Sequence, residues 1–99
     1  MTTQQTNQVQ PLFALGKTLA TRGAVVVMQK LGVSPLALLS RHQRGDWGNL
    51  DKEDKQTNVQ ALTHGDRIFS AYQVTDAVKF WVITEADRSA TTILLPEEY

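Results

Sequence analysis

Apolar positions recur along this chain with two different periods. Between Thr21 and Gly65 they fall three and four apart, and from Asp66 onward they alternate. Ala24, Val27, Met28 and Leu31 follow Thr21 at helical spacing, with Gly32 placed to stop a helix. The run Val25-Val26-Val27 is β-branched and favours a strand, but a cap before it and a glycine after it decide for a helix. Ser34-Pro35 opens a second helix: a capping hydroxyl, then a proline whose missing N–H costs nothing in a first turn. Leu36, Leu39 and Gln43 are its expected inner face, Arg41, His42 and Arg44 fill its last turn, and Gly45 closes it. A third helix is expected from Asp51, a cap with Asp54 in the capping-box position and Lys55 one turn on. Leu50, Val59 and Leu62 would supply its buried side, and Gly65 its end.

After Asp66 the pattern is that of strands. Ile68, Tyr72 and Val74 alternate with Phe69, Ala71 and Gln73, and Val78, Phe80 and Val82 alternate with Lys79, Trp81 and Ile83. Thr75-Asp76-Ala77 is short enough for a hairpin loop. Ala86 to Ala90 is a second connection, leading to Thr91, Ile93 and Leu95 before Pro96 ends the last strand. Phe69, Trp81, Ile83 and Leu94 are expected on hydrophobic faces of this meander. Ahead of everything, Met1 to Gln10 has almost nothing to bury, so residues 1–11 read as a frayed polar tail and residues 12–99 as one domain. Pro11 to Gly16 is a short strand or an extended segment laid over the core. The expected fold is therefore α+β: two or three N-terminal helices packed on one face of a C-terminal three-stranded antiparallel sheet, which a short N-terminal strand would extend if Pro11 to Gly16 pairs with it.

Composition narrows the chemistry. With 99 residues and 41% hydrophobic positions the chain suits one ordinary globular domain. It has no cysteine, which excludes disulfides, thiolate metal sites and a cysteine nucleophile. No signal segment or membrane-length apolar run is visible, so a cytoplasmic location is expected. The net charge is zero, but residues 1–50 carry +4 and residues 51–99 carry −4. Lys17, Arg22, Arg41 and Arg44 could converge into a patch for an acidic partner, whereas a sequence pI near 6.7 gives little drive toward nucleic acid.

The densest polar cluster is Arg41-His42-Gln43-Arg44-Gly45-Asp46-Trp47-Gly48. As a binding corner, Arg41, His42, Arg44, Asp46 and Trp47 would offer two guanidiniums, an imidazole and an aromatic plate. As structure, they are a helix end, a glycine stop and a loop anchored by Trp47 against Leu39, Leu50 or the sheet. A second cluster surrounds Glu85, which alternation sets beside Trp81 and Ile83. Glu85 as general base with His42 or Arg88 as partner would suit RNA cleavage of the barnase or toxin type, a reading by fold analogy. The competing reading is a charged turn in which Asp87 and Arg88 pair locally. His42 and His64 lie in no metal-ligand pattern, and Gly16-Lys17-Thr18 lacks the upstream glycine of a phosphate loop, where Pro11 stands. No metal and no cofactor is expected. A DNA-binding regulator would need more outward cations than Arg41 and Arg44 on its recognition helix.

Several blocks spread over residues 12–99 act together as a signature: Arg41 to Gly48, Glu53-Asp54-Lys55, Ser70-Ala71-Tyr72, Trp81 to Arg88, and Leu94 to Tyr99. In them the chain resembles a family of small accessory proteins carried by phages, plasmids and integrative elements of bacteria. The resemblance implies a context: accessory proteins of this size bind and block host defence or regulatory proteins, and some are toxins. The expectation is a small non-enzymatic protein that binds a host macromolecule, a protein before a nucleic acid, with a ribonuclease and a DNA-binding regulator as the alternatives.

Overall fold

Each helix is delimited by the caps its sequence provides. In the computed structural model, which describes residues 10–99, α1 runs Arg22–Leu31, α2 Pro35–Gln43 and α3 Lys52–His64. The Thr21 and Ser34 hydroxyls accept from the N–H groups of Ala24 and Ala37, and the Asp51 carboxylate from that of Asp54. Gly32 and Gly65 end α1 and α3 in the left-handed conformation, at φ 70° and 75°. The valine run is thus helical. Apart from Gln10 and Pro11, the tail expected at 1–11 lies outside the described residues.

The sheet differs from the expected three-stranded meander. It has four strands in the order β1-β4-β3-β2, with β1 at Lys17–Ala20, β2 at Ile68–Gln73, β3 at Lys79–Thr84 and β4 at Ala90–Leu94. β2, β3 and β4 form the antiparallel meander, with Phe69 opposite Ile83 and Trp81 opposite Leu94. β1 adds to β4 in parallel, Lys17 beside Ala90 and Leu19 beside Thr92, so the sheet is mixed and a strand precedes the helices. Gly16, at φ 66°, makes this possible: a Cβ there would collide with the backbone of Arg88 and Ser89. The preceding Pro11–Leu15 stretch is not a strand but a segment laid over the helices, its Leu12 N–H donating to the Gln43 carbonyl at 2.8 Å.

All three helices cover one side of the sheet. α1 sets Ala24 and Met28, and α2 sets Leu38 and Leu39, against Tyr72, Phe80, Val82 and Ile93. A second cluster joins Trp47, Ala61 and Ile68 with Phe13, Leu50 and Leu62 packed around them. The inner face of α2 is Leu38, Leu39 and His42 rather than Leu36, Leu39 and Gln43; Leu36 is 76% exposed. In α3 the buried positions are Asn58 and Ala61, and Val59 faces out. The Asn58 amide explains that rotation, because it donates to the Phe69 carbonyl at 2.6 Å and accepts from the Phe69 N–H at 3.1 Å. It imitates a neighbouring strand.

The outer edge of β2 is capped beyond Asn58 as well. The Ala71 N–H donates to the Trp47 carbonyl, the Asn49 N–H to the Ala71 carbonyl, and the Gln73 N–H to the Asn49 side chain at 2.9 Å. At the other end of the chain, a 3₁₀ turn at Pro96–Glu98 carries the Glu98 carboxylate to the start of α1. There it accepts from the Thr21 hydroxyl and from the Gly23 N–H at 3.1 Å, a favourable place for an anion on a helix without acidic residues in its first turn. The Thr21 hydroxyl, with the N–H groups of Leu95 and Gly23, holds the Glu98 carboxyl below its ordinary pKa.

Candidate functional site

The cluster Arg41 to Gly48 is put to structural use. His42 has no exposed surface and lies between α2 and the sheet, its Nδ1 2.6 Å from Ser70 Oγ and its Nε2 2.9 Å from Thr84 Oγ1. Thr84 Oγ1 lies 2.7 Å from Thr91 Oγ1, and the Thr91 hydroxyl donates to the Leu15 carbonyl at 2.8 Å. That final carbonyl orients the whole chain. Thr91 has one proton and gives it to Leu15, so it accepts from Thr84, which therefore accepts from an Nε2–H; Ser70 must donate to a bare Nδ1. Every group is satisfied with the imidazole neutral, and burial lowers its pKa to about 4.

Trp47 is 7% exposed, stacked on Phe13 at 6.3 Å and packed, as expected, against Leu50 and the sheet residue Ile68, together with Ala61; Leu39 belongs to the other cluster. The Arg41 Nε donates to Asp46 at 2.6 Å, and its guanidinium lies 4.3 Å from the centre of the Tyr72 ring. The ion pair raises the Arg41 pKa and lowers that of Asp46. Tyr72 donates its phenol proton to the Asp46 carbonyl at 2.6 Å, and burial pushes that phenol up to about 12. Arg44 is exposed and donates to Ser40 Oγ at 3.2 Å. Of the four cations expected to form a patch, Arg41 is thus committed to a carboxylate within its own loop.

The second cluster is also spoken for. The Arg88 guanidinium faces the carbonyls of Asp66 at 2.7 Å and Ala86 at 3.0 Å through one nitrogen, and that of Ala61 at 3.1 Å through the other. It ties the C-terminal end of α3 to the β3–β4 hairpin, where a cation suits the helix dipole. Asp87 turns to Ser89, whose hydroxyl and N–H hold its carboxyl below the ordinary value, and so does not pair with Arg88. Glu85 is exposed, whereas the His42 ring lies wholly beneath the sheet. An imidazole with both nitrogens engaged and no exposed atom cannot reach a substrate proton. Among the described residues, no group of three His, Asp or Glu side chains is arranged to hold a metal ion.

The feature left without an internal role is the other face of the sheet. No described helix covers it. Registered pairing aligns two apolar rows across the strands there: Phe69, Ile83, Thr92 and Leu19 in one, and Ala71, Trp81 and Leu94 in the other. Ile83 and Leu94 are sunk between their neighbours, while Trp81 and Phe69 are half-buried and Leu19 is exposed. Phe69 meets Trp81 edge-on at 5.1 Å, and Tyr99 folds back onto Trp81 at 5.6 Å. Trp81 lines two concavities, the larger of which reaches round the end of the sheet to Val27 of α1. One, of about 400 Å³, lies toward the hairpin and the 3₁₀ turn, with Val27, Gln73, Lys79, Leu95 and Glu97 in its walls. The other, of about 220 Å³, is bounded by Arg67, Phe69, Ile83 and Tyr99. Lys79 borders the band on one side, and Lys17 follows the register on the other. Phe69, Trp81, Ile83 and Leu94 were legible as facing residues; that no helix covers them among the described residues was not, and the signal for it is that three short helices suffice for only one face. No family model, characterised protein or solved structure matches the chain.

Proposed function

We propose that the protein acts by binding another protein in the cytoplasm through the helix-free face of its sheet, with Trp81 at the centre. The observation that carries this reading is the apolar band of Phe69, Trp81, Ile83, Leu94 and Leu19, rimmed by side chains of both signs. Lys79 and Glu97 stand beside Trp81 on one side, Arg67 stands beside Phe69 on the other, and Lys17 lies at the β1 edge. An apolar centre inside a polar rim is the anatomy of a protein interface. A nucleic acid would meet carboxylates among the cations, and the aromatic rings stand edge-on at 88° and 68° rather than as parallel plates for bases. The resemblance to accessory proteins of mobile elements supports a host protein as the partner.

The test is affinity capture from a bacterial host with three baits: the wild type, Trp81→Ser with Lys79→Glu, and Leu36→Ser as a control on the exposed side of α2. The expected result is a captured protein that the sheet-face variant loses and the Leu36 variant keeps. Capture that survives the Trp81 and Lys79 changes sinks the reading. Incubation with total RNA is the companion assay, and cleavage that purifies with the protein would revive the ribonuclease alternative.

A further inference from the structure

The two edges of the sheet are treated in opposite ways. β2 has its outward N–H and C=O groups covered by Asn58, by the Trp47–Asn49 backbone and by the Asn49 side chain. β1 has no such cover among the described residues: all four of its residues are exposed. Its inward groups are known. The Lys17 and Thr21 N–H groups donate to the carbonyls of Ser89 and Ile93 on the β4 side, so strand alternation turns the N–H and C=O of Thr18 and Ala20 outward. Lys-Thr-Leu-Ala contains no proline and no bulge, and a lysine at its first position is the one device against edge pairing.

We propose that the β1 edge pairs with the β1 edge of a second copy of this chain, antiparallel about a two-fold axis at Leu19. The argument is self-complementarity. Thr18 and Ala20 are the outward-bonding residues, and they lie symmetrically on either side of Leu19. With Leu19 opposite Leu19 of the second copy, each Thr18 stands opposite an Ala20, and each such pair exchanges both of its backbone hydrogen bonds. Leu19 then occupies the close, non-hydrogen-bonded site, where the two side chains meet. Lys17 falls opposite Thr21, so no like charges face each other. The occupant that this register fits is the chain itself.

The pairing also extends the open face, because Leu19 belongs to the row of Phe69, Ile83 and Thr92. Two copies would place that row end to end with its symmetry mate across one continuous sheet in the order β2-β3-β4-β1-β1-β4-β3-β2. A four-residue edge makes a small contact, which belongs to the transient class of interface. A second consequence is avidity, since a pair of linked sheet faces holds a repetitive partner more tightly than one.

The experiment is sedimentation of the purified full chain up to roughly millimolar concentration, with amide exchange measured at both ends of the range. The expected result is a monomer–dimer equilibrium in which the Thr18 and Ala20 amides gain protection as concentration rises. The Leu19 amide should be protected throughout. Leu19→Lys, which sets two ammonium groups on the axis, and Thr18→Pro, which deletes an outward donor while keeping the β4 ladder, should each leave a folded monomer. If Thr18→Pro fails to fold, Leu19→Lys decides alone. A wild type that stays monomeric, a dimer indifferent to Leu19→Lys, or Thr18 and Ala20 amides already protected in the monomer would each overturn the proposal. Trp81→Ser is expected to dimerise normally. Loss of the dimer in that variant would move self-association to the sheet face and overturn edge pairing, whereas loss of partner capture alone leaves it standing.

Discussion

The two faces of this sheet are both largely apolar, but they differ in where their polar groups and their cover lie. The face under the helices holds a chain of polar groups, Ser70, His42, Thr84 and Thr91, with no solvent access at any of them. The face away from the helices carries Phe69, Trp81, Ile83 and Leu94. Burial of a polar group is tolerable only when it is fully paired, and the internal chain is paired from Ser70 through to the Leu15 carbonyl. Such a network fixes one register between α2 and the sheet. The apolar face has no helix over it among the described residues, and it is the surface on which the proposed partner would dock. Polarity alone thus assigns neither role; completeness of partners does.

Four measurements can break that contrast. The largest effect is expected at Trp47, under the helices: Trp47→Ala should destabilise the fold by about 3–5 kcal/mol, read as a shift in the denaturant midpoint. A value near zero would mean that the ring is not part of the core. Next is acid titration of the buried imidazole. Its pKa falls to about 4 in the folded state from 6.5 in the unfolded one, so the unfolded chain binds the extra proton between those values. Stability should therefore be intact above pH 6.5, fall as pH drops from there to about 4, and lose roughly 3 kcal/mol in all. His42→Gln should flatten the slope within that window whatever it does to absolute stability. Losses below it belong to the carboxylates of Asp46, Asp87 and Glu98, whose pKa values are lowered by their donors.

Third, Thr84→Val keeps the shape of the side chain but cuts the path between His42 and Thr91, for an expected cost of about 1–3 kcal/mol. Its neighbour in sequence, Ile83, faces the other way and makes a useful reference. Last and smallest is Trp81→Ser. Its ring is half-buried and makes edge contacts with Phe69 and Tyr99, so stability should drop by about 1–2 kcal/mol, well short of the loss at Trp47. A loss of several kcal/mol there would make Trp81 a core residue and remove the contrast between the faces.

Much of the fold was legible locally. Thr21, Ser34 and Asp51 announce their helices because capping is a property of a few adjacent residues. The meander was legible because alternation records which side each residue faces. β1 was not, since Lys-Thr-Leu-Ala has no buried side to alternate with, and its strand character comes from partners more than seventy positions away. The role of His42 was hidden for a similar reason: at the end of a helix next to Arg41 and Arg44 it reads as a surface group. One signal could have placed it. Ser70, Thr84 and Thr91 fall by alternation on the same side as Tyr72, Val82 and Ile93, and hydroxyls in a core need a partner able to donate and accept. Of the cluster named as a binding corner, Arg41 and Asp46 pair with each other against Tyr72, and the Trp47 backbone bonds the β2 edge, contacts with strand β2 that the local sequence does not reveal.

Strand order has a consequence for synthesis. The central positions of the sheet belong to β3 and β4, while the helices that rest on them come earlier in the chain. During translation, α1, α2 and α3 emerge with their apolar sides ready and no surface to lay them on. β1 waits for β4, and the start of α1 waits for the Glu98 carboxylate. Packing of the three helices therefore waits for contacts with strands that follow them in the chain, and the nascent helices stay exposed until β3 and β4 arrive. A premature stop anywhere before β4 would release a chain without a centre.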